Sequence, residues 1–155
     1  MKVKYLLVLL LIFVATINIH SDSKVSFQDI QKQAEAGSDV NQFALGLIYY
    51  NGQETQTDHQ KAFYWFTKAA EQGNEMAQCM LAAMYLNGDG TKKDEVNACK
   101  WALKSAEQGN ADSQYLVGLM YITGASGVQD EAKGMEWLKK SAKQGNEKAQ
   151  AFFEQ

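Results

Sequence analysis

A five-residue phrase returns along this chain at one fixed interval. Ala70-Glu71-Gln72-Gly73-Asn74 has copies at Ala34-Glu35-Ala36-Gly37-Ser38, Ala106-Glu107-Gln108-Gly109-Asn110 and Ala142-Lys143-Gln144-Gly145-Asn146. The interval is 36 residues each time. Tyr49, Tyr85 and Tyr121 keep the same register, as do Gly52, Gly88 and Gly124, Asp58, Asp94 and Asp130, Trp65, Trp101 and Trp137, and Lys68, Lys104 and Lys140. A fixed period of about 20 to 50 residues means one supersecondary unit stacked on copies of itself, each burying the face its neighbour cannot cover alone.

Within one period the residues spell two helices. Asn74 can cap a starting helix, and Met76, Ala77, Met80, Leu81, Met84 and Tyr85 follow at helical spacing, so helix A runs from Glu75 to Asn87. Gly88 and Gly90 break it, and Asp94 caps helix B, Glu95 to Gln108, with Val96, Ala98, Trp101, Ala102, Ser105 and Ala106 on its packed side. Gly109 ends helix B and Asn110 starts the next helix A, a joint short enough to force a tight antiparallel stack. Small residues mark the crossing points: Gly46, Ala82 and Gly118 on helix A, Ala62, Ala98 and Gly134 on helix B. The recurring tryptophans read as core filling.

The expected architecture is therefore an all-α, right-handed α/α solenoid. A half-repeat cap covers residues 24–37, full repeats cover 38–73, 74–109 and 110–145, and a cap helix covers 146–155. In the first cap Asp29 replaces tryptophan, since no repeat precedes it. In the last, Phe152 and Phe153 are expected to cover Trp137, Leu138 and Ser141.

Residues 1–21 read as an export signal. Lys2 and Lys4 precede an apolar run from Tyr5 to Ile17, too short to span a bilayer comfortably, and cleavage is expected after Ser21. An uncleaved anchor is the other reading of the same segment. All 15 positive side chains are Lys, so the bidentate clamp of arginine is missing. Removing Lys2 and Lys4 leaves 13 Lys against 18 acids, a mature charge of about −5 that argues against nucleic acid or an anionic membrane as partner.

The full set of residues, from Phe43-Ala44-Leu45-Gly46-Leu47-Ile48-Tyr49-Tyr50-Asn51-Gly52 through Asp58 and Trp65 to Gly73, resembles the Sel1-like repeat, a subfamily of the tetratricopeptide-type solenoids. The resemblance covers about Lys24 to Gln155. It implies an adaptor or scaffold that binds another protein and does not imply a reaction. With the export segment, the expected location is periplasmic or secreted, and a monomer without a cofactor is expected. Some exported members are immunity proteins that neutralise secreted toxic lipases, and others resemble β-lactamase-like proteins, which makes a β-lactam or cell-wall amide hydrolase the alternative. The partner would then be a secreted toxin or an envelope protein.

The same resemblance turns one side of each helix A towards a concave surface. Those positions are Val40, Phe43, Leu47 and Tyr50, then Met76, Cys79, Ala83 and Leu86, then Tyr115, Leu119 and Ile122, with Asn51, Asn87 and Asp112 as a polar rim. Leu45, Tyr49, Leu81, Tyr85, Val117 and Tyr121 are expected in the core. The competing expectation is that the concave set packs against neighbouring B helices.

No constellation for chemistry stands out. His59, the one histidine after the signal segment, reads as a solvated loop residue. Asp94-Glu95 and Asp130-Glu131 fall at helix B N-termini, where charge complements the dipole. Ser21 to Lys24 is the only Ser-x-x-Lys, and neither Ser-Asp-Asn nor Lys-Thr-Gly accompanies it. Cys79 and Cys99 would meet an oxidising compartment, but their registers are offset by about a helical turn, which favours two free thiols.

Overall fold

The computed structural model describes residues 26–125 and 127–154. The expected export segment, its expected cleavage site after Ser21 and the first residues of the expected N-terminal cap lie outside them. Eight helices follow one another, with no strand among the described residues: α1 Phe27–Glu35, α2 Asp39–Asn51, α3 His59–Glu71, α4 Glu75–Asn87, α5 Glu95–Gln108, α6 Ala111–Thr123, α7 Glu131–Lys143 and α8 Glu147–Phe152. The main packing runs between consecutive helices, as a one-dimensional stack requires. Here α2, α4, α6 and α8 are A helices, and α1, α3, α5 and α7 are B helices.

Local chemistry sets the boundaries. Ser38, Asn74, Asn110 and Asn146 cap the A helices, each side-chain oxygen accepting the N–H three residues on. Asp58, Asp94 and Asp130 do the same for the B helices. The N–H of each of these aspartates also donates back to the carbonyl of Tyr49, Tyr85 or Tyr121, at 2.8, 2.9 and 2.9 Å. That tie closes the A–B loop identically in every repeat and accounts for the shared register of tyrosine and aspartate. Gly52, Gly88 and Gly124 end the A helices in the left-handed region, at φ of 69°, 78° and 79°.

The recurring phrase is the most heavily used stretch of the unit. Gln42, Gln78 and Gln114 are buried, and their Nε2 groups donate to the carbonyls of Ala34, Ala70 and Ala106 at 3.0, 3.1 and 3.1 Å. Their Oε1 atoms accept from Gln72, Gln108 and Gln144 at 2.7, 2.8 and 2.7 Å. An amide ladder therefore crosses each joint between repeats. In the first copy of the phrase Ala36 stands where Gln72, Gln108 and Gln144 stand in the others.

The core sits in the alanine-rich seams between repeats. Ala62, Phe66, Ala69, Ala70, Ala77, Leu81 and Met84 form one buried cluster, Ala82, Ala102, Ala106 and Val117 a second, and Ala98, Cys99 and Met120 a third. Close approach is absolute in the last full repeat. A Cβ on Gly118 would lie 2.7 Å from Leu138, and one on Gly134 would lie 2.7 Å from the carbonyl oxygen of Gly118.

Several expectations need correction. Trp65, Trp101 and Trp137 are half-buried at the margin of the seams, and the largest fully buried side chain is Phe66. The indoles keep an outer edge in water, where Lys104 and Lys140 lie over Trp101 and Trp137 at 4.3 and 4.1 Å. Tyr49 and Tyr121 are likewise half-buried beneath Lys61 and Lys133, whereas Leu45, Leu81 and Val117 are fully buried. Val96 is 60% exposed, because the first turn of α5 projects beyond the seam into an open depression beside Ala125 and Gly127.

Neither cap matches its expected detail. Asp29 closes a capping box with Ser26 that starts α1, which is a positive reason for a carboxylate at a tryptophan register. In α8 the fully buried residue is Ala149, while Phe152 is half-buried and Phe153 is 42% exposed. The two rings meet edge to face at 5.6 Å. Phe153 has the register of Leu81, but Leu81 is fully buried in a cluster that Trp101 of the following B helix flanks, and no such helix follows α8 among the described residues.

Candidate protein-interaction face

The A helices are apolar on nearly every side, because each is flanked by B helices from two repeats and by its A neighbours. The expected concave positions consequently divide into three groups. Val40, Ala83, Asn87 and Asp112 are exposed, Val40 at 64%. Asn51, Met76, Tyr115 and Leu119 are half-buried. Phe43, Leu47, Tyr50, Leu86 and Ile122 are also half-buried, but they rest on the core.

Contacts define that last group. Phe43 and Tyr50 lean on Phe66 of α3, with ring centroids 5.7 and 6.4 Å apart, and Leu47 joins the same cluster. Leu86 packs on the Ala98, Cys99 and Met120 cluster, and Ile122 lies across the space a Gly134 side chain would need. These residues were expected to be solvent-facing. They instead pack on the core, since a helix surrounded on most sides has few positions left that point only at water.

Neighbouring repeats are tied along one edge of the face. Asn74 donates to Asp39 Oδ2 at 3.0 Å, Asn110 to Met76 Sδ at 3.9 Å and Asn146 to Asp112 Oδ1 at 2.7 Å. Lys148 of α8 lies 6.0 Å from the Tyr115 ring centre. Cys79, placed on the open face by register, is half-buried. Burial raises its thiol pKa, the nearby carboxylates of Asp112 and Glu75 add to the rise, and a hydrogen bond with Ser113 opposes it. Burial also raises that of Cys99, against a small opposing pull from Lys133. Both are free thiols held in the protonated, weakly nucleophilic form.

The opposite edge holds a cluster that sequence reasoning missed. His59 is stacked on Tyr50, with ring centroids 4.9 Å apart and planes 14° from parallel. Its Nδ1 lies 3.8 Å from Asp89 Oδ1, and the Tyr50 hydroxyl and Asn87 Nδ2 donate to Asp89 Oδ2 at 3.4 and 3.2 Å. Burial, followed by the charge of Asp89, raises the Tyr50 pKa. Gly90 is pressed against the His59 backbone, leaving no space for a Cβ. His59, read as a solvated loop residue, thus helps to join repeats. Its neighbour Asp89 has no counterpart in register, so the period gave no signal for the cluster.

Three successive segments, 42–74, 75–110 and 111–146, match the family model of the Sel1 repeat. The chain belongs to the Sel1-repeat family. Its Sel1 repeats begin four residues later than the first unit drawn from the recurring phrase and one residue later than the other two, a difference of where a continuous stack is cut. A Sel1 repeat protein of Oxalobacter formigenes is 34% identical, with a TM-score of 0.77 over 84% of this chain and 98% of that one. A protective antigen of uropathogenic Escherichia coli that displays the same repeat fold is 36% identical, also with a TM-score of 0.77, over 82% of this chain. This chain spans only 27% of that antigen's length. Cysteine-rich protein B of Helicobacter pylori, at 24% identity and a TM-score of 0.64 over 81% of this chain and 92% of its own, shares the fold. The chain matches no curated protein. The fold is thus the right-handed solenoid of Sel1 repeats, and such repeats mediate protein–protein interaction.

Proposed function

We propose that this Sel1-repeat chain is an exported adaptor that takes a partner protein on the concave face of its A helices. The observation that carries the reading is the surviving apolar surface there. Val40 and Ala83 are exposed, and Met76, Tyr115 and Leu119 are partly accessible beside the polar rim of Asn51, Asn87 and Asp112. Burial raises the pKa of both thiols, which disfavours either as the activated nucleophile of a cysteine hydrolase. Periplasmic immunity against a secreted lipase is the specific form that kinship adds.

A photo-cross-linking residue at Ala83, compared with one at Glu107 on the outer side of α5, tests the face. The reading expects a discrete adduct from position 83 in an envelope fraction and none from position 107, with mass spectrometry identifying the partner. Adducts from 107 alone, or equally from both, would overturn it. Intact-mass analysis of the envelope fraction tests export: a chain beginning after Ser21 supports it, and full-length chain confined to the cytosol defeats it.

A further inference from the structure

Two asparagines in this chain precede glycine, Asn51 before Gly52 and Asn87 before Gly88, each as the last residue of an A helix. The third full repeat has Thr123 at that position. An Asn-Gly pair carries its own reaction. The backbone nitrogen of the glycine attacks the side-chain amide carbon, ammonia leaves, and water opens the resulting five-membered imide to aspartate or isoaspartate. Glycine favours the attack because no Cβ shields its nitrogen.

The two pairs have different surroundings. Asn87 is exposed and Asn51 is half-buried. A Cβ on Gly52 would lie 2.6 Å from Thr57 Oγ1 and 3.0 Å from the Thr57 nitrogen, so the loop closes tightly over the first pair. At Gly88 nothing comes nearer than 3.5 Å to the same point, which leaves room for ring closure. The Gly88 N–H donates to the Met84 carbonyl at 2.8 Å in the last turn of α4, so its nitrogen is released only when that turn frays. The reaction is slowed by this bond, not blocked. Its product matters because of what Asn87 touches. The Asn87 amide donates to Asp89 Oδ2 at 3.2 Å, the oxygen that also accepts from the Tyr50 hydroxyl, and Asp89 Oδ1 lies 3.8 Å from His59 Nδ1.

We propose that Asn87 is a site of spontaneous deamidation, with water as the reagent, and that its product loosens the cluster of Tyr50, His59 and Asp89 between the first two full repeats. Aspartate puts a second carboxylate where an N–H donor had satisfied Asp89, and like charges at that separation repel. Isoaspartate also inserts a methylene into the main chain, between the last turn of α4 and the loop that carries Asp89. The next joint has Leu86, Glu95 and Ala125 in the registers of Tyr50, His59 and Asp89, so the effect is confined to the first. The inference is independent of what the concave face binds.

The full chain is incubated at neutral pH beside a free peptide of residues 84–92, and mass-spectrometric peptide mapping follows the exchange of amide for acid at each asparagine. Asn87 should convert before Asn51, and its conversion should be measurable by the time the peptide has reacted completely. Asn87→Gln should stay unconverted at that position over the same period. Asn87→Asp, which supplies the charge at once, should melt about 2 °C or more below the parent. The same change should cost less in a chain carrying Asp89→Asn, where the repulsion is absent. Asn87 left intact when the peptide is consumed, or converting no sooner than Asn51, would overturn the site. Melting of Asn87→Asp with the parent, or an equal loss beside Asp89→Asn, would overturn its effect on the joint.

Discussion

Tyr50 lies nearly flat on His59, and both side chains reach Asp89 in the loop of the following repeat. The contact joins two repeats at the edge opposite the asparagine ties. Burial and Asp89 raise the Tyr50 pKa, so folding favours the protonated phenol. The stability this gives is complete below the ordinary tyrosine value of about 10 and is lost as pH rises through the folded-state value. Tyr50→Phe should melt below the parent chain at neutral pH, with the gap narrowing above about pH 10. Melting curves of both proteins across that range check it, and a constant gap would count against the arrangement.

At the acid end the sign reverses. Backbone N–H donors hold the capping carboxylates of Asp58 and Asp94 below their ordinary range. Their contribution is present above about pH 4 and is lost as pH falls through the lowered values. The double variant Asp58→Asn, Asp94→Asn should therefore show a shallower loss of melting temperature on acidification than the parent.

The amide ladder gives a third expectation. Gln78→Ala removes two hydrogen bonds at a buried joint, one to the Ala70 carbonyl, which keeps the Gly73 N–H, and one from the Gln108 amide, which keeps the Gly73 carbonyl, a loss of about 1–3 kcal/mol in all. Gln150→Ala removes only the exposed last rung and should stay within about 0.5 kcal/mol. Urea unfolding of the two variants distinguishes a ladder from a set of incidental bonds.

Helix crossing supplies the fourth. Gly134→Ala improves helix propensity but brings a Cβ within 2.7 Å of the Gly118 carbonyl, backbone that cannot step aside cheaply. Overpacking of this kind costs about 1–3 kcal/mol, so the substitution should destabilise in thermal unfolding.

At the C-terminal cap, Phe153→Ala should be nearly silent, within about 0.5 kcal/mol, because its ring is largely exposed. Ala149→Asp buries a carboxylate against the last repeat and should lower the melting temperature markedly.

The repeat, its helices and its caps were legible in the sequence because they depend on local signals that recur: Asn74 starts α4, Asp94 starts α5 and Gly109 ends it, as read. Helix rotation was not legible. An A helix with apolar residues all round has no polar side to fix its orientation, so Phe43, Leu47 and Tyr50 could be assigned to the face but not to the core they also touch. Gln42, Gln78 and Gln114 were passed over although they recur at the period, since glutamine suggests a surface until its partner 30 residues away is seen.

The ladder also bears on how such a chain can change over generations. Any 36-residue block that is copied in tandem carries its own donor and its own acceptor, together with the glycine and asparagine of the joint. A duplication or deletion of one whole block through unequal recombination would leave no amide of the ladder orphaned. Reach along a partner could then evolve in steps of a repeat without a new fold being invented.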